Sequence, residues 1–212
     1  MAIPVGERIL PVYNLTKIFS AFVLRPFFRL QVIGHINIPE KGPFLLLPKH
    51  QRWEDIPLLS MAIARPLYYI AKHELFRNPL SRWFISSLGG MPLNRVNPSE
   101  SIQSVKKLFD LLNNGEGIVI FPEGTYYKDR MGKGHKRLIR MILSRYMTPL
   151  IPVGIIYSKG RNRIHVRIEI GRPVLPESSC NINEGIELAF IEIARLSGLQ
   201  ENHIGENADV GT

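Results

Sequence analysis

A single cysteine, Cys180, stands among 212 residues, which excludes an internal disulfide and points to a reducing compartment. No run of apolar residues reaches the length of about 20 that a spanning helix needs. The most apolar stretch, Ile9–Leu30, is interrupted by Lys17, Arg25 and Arg29. A signal peptide is not expected either, since a basic start, a clean apolar centre and a small-residue cleavage site are missing. There is no Gly-x-Ser-x-Gly elbow, no Gly-x4-Gly-Lys-Ser/Thr loop and no Gly-x-Gly-x2-Gly loop, so neither a serine hydrolase nor a nucleotide site has support. His35, His50 and His73 are scattered and lack a second cysteine, so no metal site is expected. Acids are scarce: 18 against 27 Lys and Arg, a net charge of +9. Seven of those acids and only one base fall in residues 177–212, so the remainder is strongly basic and invites an anionic partner.

What is present reads as a folded α/β chain. Hydrophobic residues make up 45% and charged residues 21%, and the length suits one core rather than two. In residues 9–30, Leu15, Phe19, Phe22, Val23, Phe27 and Leu30 fall on one side at 3.6 residues per turn, and Lys17, Arg25 and Arg29 on the other. A basic amphipathic helix with aromatic residues suits a membrane interface, although the same pattern serves a helix packed on its own core. Beyond it, strands are expected at Arg29–Asn37, Phe44–Leu47, Leu67–Ala71, Gly90–Leu93, Gly117–Phe121, Leu150–Tyr157 and His165–Ile170. Helices fit Pro57–Ala64, Pro79–Leu88, Glu100–Asn113, Lys136–Tyr146 and Asn183–Leu196. The alternation predicts a single α/β domain with a mixed sheet flanked by helices. The divisions expected are 1–30 as an interfacial helix, 31–176 as the main domain and 177–212 as an acidic helix and tail.

His50 follows a short strand, and Asp55 comes five residues later. In an unbroken helix such residues differ by about 140° and do not meet. A turn between a strand ending at Pro48 and a helix beginning near Asp55 brings them together. An imidazole held by a carboxylate is a tuned general base. Three further segments place polar groups at strand ends, where α/β sheets bind ligands: Gly90 to Arg95, Phe121 to Thr125, and Ile151 to Gly154.

In order and spacing these blocks resemble the glycerol-phosphate and lysophospholipid acyltransferase family, especially its bacterial 1-acyl-glycerol-3-phosphate acyltransferases, over about Gln31 to Pro176. The block Ala71-Lys72-His73-Glu74-Leu75-Phe76 is similar to that family's Ala-Lys-x-Glu-Leu segment, and Met131-Gly132-Lys133-Gly134 to its Lys-x-Gly segment. The resemblance implies that His50 and Asp55 are the His-x4-Asp catalytic pair. It implies that Lys72 and Arg95 hold an anionic head group, and that Glu123, Gly124 and Thr125 form the third block. Glu123 would then bind acceptor hydroxyls or order basic neighbours. The chain departs from the family at three positions: Lys49 stands before the histidine in place of Asn or Ser, Arg52 in place of a small hydroxyl residue, and Tyr126 in place of an arginine that binds phosphate. A tyrosine hydroxyl cannot replace an arginine fork on phosphate, so Arg52, Lys49 or Arg130 must supply the charge, or the acceptor is not a simple phosphomonoester.

The implied reaction is direct acyl transfer from a thioester of acyl carrier protein or coenzyme A to a lysophospholipid hydroxyl, with no bound cofactor. A hydrolase, a phospholipid transacylase or a different polar lipid acceptor would use the same base. The implied partners are a membrane lipid acceptor and an anionic membrane surface, with peripheral placement on the cytoplasmic face of the cell membrane. A rival class is nucleic-acid binding: Lys128, Arg130, Lys133, Lys136, Arg137 and Arg140 crowd a short stretch beside Tyr126 and Tyr127. No helix-turn-helix, zinc-finger or RNP-like pattern accompanies them, so no nucleic-acid partner is expected.

Overall fold

Short apolar runs that stop at proline or glycine set the strand limits in the computed structural model, which describes residues 7–93, 98–132, 134, 136–176 and 181–199. The strands are β1 (Phe28–Ile33), β2 (Phe44–Pro48), β3 (Leu67–Lys72), β4 (Gly90–Leu93), β5 (Gly117–Val119), β6 (Leu150–Lys159) and β7 (Ile164–Ile170). The helices are α1 (Leu10–Leu24), α2 (Asp55–Ala62), α3 (Pro79–Ser87), α4 (Pro98–Asn113), α5 (Lys136–Leu143) and α6 (Ile182–Leu196). One sheet holds all seven strands in the order β1-β7-β6-β2-β5-β3-β4. Every neighbouring pair is parallel except β6 and β7, which form a hairpin. The sheet is therefore mixed and the class α/β.

Strand periodicity divides the core. Leu45 and Leu47 of β2 face α4, α5 and α6, while Phe44 and Leu46 face α2 and the end of α1. Each apolar β2 residue is fully buried, as a central parallel strand requires. Because β2, β3, β4, β5 and β6 share a direction, their carboxyl ends gather at one edge of the sheet. That edge is where polar loops can meet.

Several sequence expectations shift. The amphipathic stretch is not one helix to Leu30: α1 ends at Leu24, Phe27 lies in the following turn and Leu30 belongs to β1. Pro26 lacks the N–H and the room to continue a helix. The strand expected to reach Asn37 stops at Ile33, because Gly34 turns the chain at φ +76° and a Cβ there would lie 2.1 Å from the Ile170 carbonyl oxygen. β5 ends at Val119 rather than Phe121, so Phe121 is free to approach the loop that follows β2. The segment Ile151–Gly154 opens β6 instead of closing a strand. Its Gly154 is needed for packing, since a Cβ would stand 2.3 Å from the Leu196 backbone at the end of α6. α6 is no appendage: Ile186, Ala189, Phe190 and Ile193 lie in the main core. The tail beyond residue 199, Cys180, Asn94 and Arg95 lie outside the described residues.

Candidate active site

β2 ends at Pro48, and the loop that follows folds around one carboxylate. Asp55, fully buried in the first turn of α2, accepts through Oδ2 from His50 Nδ1 at 3.1 Å and from the backbone N–H groups of Gln51 at 2.6 Å and Arg52 at 2.8 Å. Its Oδ1 accepts from the Tyr157 hydroxyl at 2.6 Å. The two backbone bonds curl the loop so that a five-residue separation becomes a contact. With Nδ1–H assigned to Asp55, the lone pair of His50 Nε2 is left for a substrate proton. Aromatic rings set the imidazole plane: Phe121 stacks on it at 3.9 Å between centroids, and Tyr126 meets it edge-on at 4.4 Å. Gln51 adds a tie by donating from Nε2 to the Ile155 carbonyl of β6.

A second buried group fixes the backbone of the same loop. Lys49 Nζ lies 2.8 Å from both Glu123 oxygens and also donates to the Tyr127 carbonyl. Glu123 accepts in addition from the His50 N–H at 2.9 Å and the Gly132 N–H at 2.7 Å. Both side chains are completely buried. Burial pushes the Lys49 ammonium below its ordinary pKa, and the bond and charge of Glu123 oppose that shift. These donors all come from the chain itself, so Glu123 ties Lys49 to the backbone of the loop, and Lys49 is engaged by Glu123 and the Tyr127 carbonyl.

A cleft of about 340 Å³ opens over His50. Ile56, Ile70, Leu75, Ile120, Phe121 and Leu138 make it apolar, while Lys72, Thr125 and the Tyr126 ring supply its polar side. Of the residues singled out from sequence, His50, Lys72, Gly124 and Thr125 line this cleft together, with Asp55 behind His50. Gly124, at φ +65°, makes the turn that presents Thr125 and Tyr126. Arg52 and Arg130 stand apart from the lining: Arg52 covers the Tyr157 ring at 4.6 Å and Arg130 the Tyr127 ring at 5.5 Å. A larger groove of about 820 Å³ runs between α1 and β1, but it holds no acid–base pair, so chemistry rather than volume identifies the site. Among the described residues no group of three His, Cys, Asp or Glu side chains could hold a metal.

Sequence reasoning missed Tyr157 and the anchoring role of Lys49. Their partners lie 102 and 74 residues away, and no local pattern reports such pairs. Within the basic run from 128 to 140, Lys136 pairs with Glu187 at 2.5 Å and Arg140 donates to Asn183 at 2.7 Å, both at the surface, while Lys133 lies outside the described residues.

A family model described as Acyltransferase matches residues 29–156. A chloroplastic 1-acyl-sn-glycerol-3-phosphate acyltransferase of Arabidopsis thaliana is 26% identical over 170 residues, 76% of this chain and 48% of that protein. The chain thus spans about half the length of the first curated relatives it matches. A lyso-ornithine lipid O-acyltransferase of Pseudomonas aeruginosa is 33% identical over 98 residues, 46% of this chain and 36% of the relative. The crystal structure of the 1-acyl-sn-glycerophosphate acyltransferase PlsC from Thermotoga maritima superposes with a TM-score of 0.66 at 26% identity, covering 89% of this chain and 81% of that one.

Proposed function

The chain belongs to the acyltransferase family, and from that premise we propose that it transfers a fatty acyl group from a thioester to the free hydroxyl of a lysophospholipid, 1-acyl-glycerol-3-phosphate in the first instance. The observation that carries this reading is the His50–Asp55 pair at an apolar cleft with a cationic and hydroxylic side. His50 Nε2 takes the acceptor hydroxyl proton as its oxygen attacks the thioester carbonyl. The tetrahedral oxyanion then collapses, the C–S bond breaks, and the thiolate leaves with the proton that His50 returns. Asp55 holds the imidazole and steadies its transient positive charge. Among the described residues no serine or cysteine bonds His50, which favours direct attack over an acyl-enzyme. The apolar lining suits an acyl chain, and Lys72 suits an anionic head group or carrier. The acyl thioester, of acyl carrier protein or of coenzyme A, is a substrate. Incubation of the purified protein with labelled acyl thioester and a panel of lysolipids, with product analysis, tests the reaction directly.

A second acceptor reading has its own support. Tyr126 lies against His50 inside the cleft where the family places a phosphate-binding arginine, and one relative is named for a lyso-ornithine lipid. Arg52 is the substitute cation favoured by sequence position, two residues from His50, with its guanidinium over the Tyr157 ring beside the cleft. Tyr126→Arg should raise turnover of lysophosphatidate relative to other lysolipids by about tenfold, the scale of one charge-assisted contact. Equal gains on all acceptors, or a wild-type preference for lysophosphatidate that Arg52→Ala leaves untouched, would remove the idea of a relocated phosphate contact.

Association with a membrane follows from the acceptor. No helix among the described residues is long and apolar enough to cross a bilayer. α1 instead exposes Leu15, Ile18, Phe19 and Phe22, the last at 80%. Lys17 is turned inward, donating to the Ile63 carbonyl at the end of α2 at 2.6 Å, while Arg25, Arg29 and Arg163 ring the neighbouring groove. This arrangement supports peripheral docking at the cytoplasmic face, with Phe19 and Phe22 inserted and the arginines at lipid phosphates. Replacing both phenylalanines by serine should weaken flotation with anionic vesicles by about tenfold for each ring lost. Tyr13 and Leu24 hold α1 to the core, so this variant should stay folded. Undiminished flotation would reject α1 as the docking surface.

A further inference from the structure

The Asp55 carboxylate is shared unevenly. Oδ2 receives three donors, all from the loop 50–52, whereas among the described residues the one donor on Oδ1 is the Tyr157 hydroxyl. We propose that Tyr157 is a positioning residue for the acyl-transfer reaction, holding Asp55 in the one orientation that presents Oδ2 to His50. This inference rests on the reading of His50 as the base.

Three observations support it. The first is rigidity. Tyr157 stands on β6, which is paired to β2 beside the catalytic loop, with Pro48 opposite Val153 and the Lys49 N–H bonded to the Val153 carbonyl at 2.9 Å. Alternation along β6 turns Val153, Ile155 and Tyr157 to the face where α2 packs, so the phenol arrives beneath Asp55. Phe28 meets its ring edge-on at 6.5 Å, and the Arg52 guanidinium caps it at 4.6 Å.

The second is the state of the hydroxyl. Burial and then the negative charge of Asp55 push the Tyr157 phenol well above its ordinary pKa; Glu54 adds to this and Arg52 opposes it. The phenol therefore stays protonated and remains a donor throughout the working range.

The third is the lack of an alternative. Asp55 is fully buried, so Oδ1 has no solvent to turn to. Without the phenol the carboxylate, whose terminal torsion is soft, is free to rotate towards the loop N–H groups and loosen its hold on the imidazole. Tyr157 does not line the substrate cleft, so its effect must pass through Asp55.

The test is Tyr157→Phe, which keeps the ring between Phe28 and Arg52 and removes only the hydroxyl. With a palmitoyl thioester as donor and lysophosphatidate as acceptor, kcat should fall about tenfold, the scale of one hydrogen bond to a charged group. KM for both substrates should stay within about twofold, and circular dichroism should be unchanged. Introduced into Asp55→Asn, the same substitution should cost nothing further. An unchanged kcat, a loss confined to KM, or full additivity with Asp55→Asn would overturn the proposal. Wild-type turnover in Asp55→Asn alone would instead overturn the base assignment on which it stands. If Tyr157→Phe is unstable at the assay temperature, kcat is read well below its melting transition as found by circular dichroism, and there the same tenfold loss supports the proposal and an unchanged kcat overturns it.

Discussion

His50→Ala yields a folded protein without measurable acyl transfer. The expectation comes from what the side chain touches. Among the described residues its side-chain hydrogen bond goes to Asp55, and its ring rests between Phe121 and Tyr126 at the cleft. Removing it leaves Asp55 with the Gln51 and Arg52 N–H groups and the Tyr157 hydroxyl, so the buried carboxylate keeps three donors. The loop is still anchored from below, because Glu123 binds the backbone N–H of residue 50 rather than its ring. Stability should therefore fall by only about 1–2 kcal/mol, mostly lost ring packing. Catalysis has no such reserve. A positioned general base contributes about 10²- to 10⁴-fold, and among the described residues no other imidazole lines the cleft. Circular dichroism beside a labelled-acyl assay separates the two quantities. Near-normal turnover in a folded His50→Ala protein would falsify the mechanism outright, whatever the family.

The parts legible in the sequence were those that local chemistry determines. Phe44-Leu-Leu-Leu47 between two prolines is a buried strand on inspection, and it became the central β2. His50 and Asp55 could be paired because a turn is the only short connection that closes a five-residue gap. The early end of α1 is legible too, because Pro26 stops a helix even though the apolar period continues past it. Burial across long separations was not legible. Resemblance leaves Glu123 to acceptor hydroxyls or to basic neighbours, and nothing local in the sequence shows that its oxygens meet Lys49, His50 and Gly132. Lys49 reads in the sequence as a departure from the family and a candidate source of phosphate-binding charge, and in the structure it is buried against Glu123. Asn94 and Arg95, which complete the second block, lie outside the described residues, so the expected head-group role of Arg95 stands on resemblance alone.

Lys49→Met should be the most destabilising single change in the catalytic loop. Lys49 and Glu123 are both fully buried, and breaking such a pair leaves an uncompensated charge at a cost of about 3–5 kcal/mol. In a chain of this size that corresponds to a fall in Tm of about 10 °C or more. The double variant Lys49→Met with Glu123→Leu tells more. It removes both charges, which for an isolated buried pair restores most of the lost stability. Here it also strips the acceptor from the buried His50 N–H, an orphaned donor that costs about 1–3 kcal/mol, and from the half-buried Gly132 N–H. The double variant should therefore recover only part of the Tm and none of the activity, since the backbone that carries His50 is no longer held. Thermal unfolding followed by circular dichroism, with acyl transfer measured well below the transition, decides the matter. A Lys49→Met protein melting within about 2 °C of wild type would show that the pair does not support the loop. Full recovery of both Tm and turnover in the double variant would show that Glu123 serves Lys49 alone and has no part in placing His50.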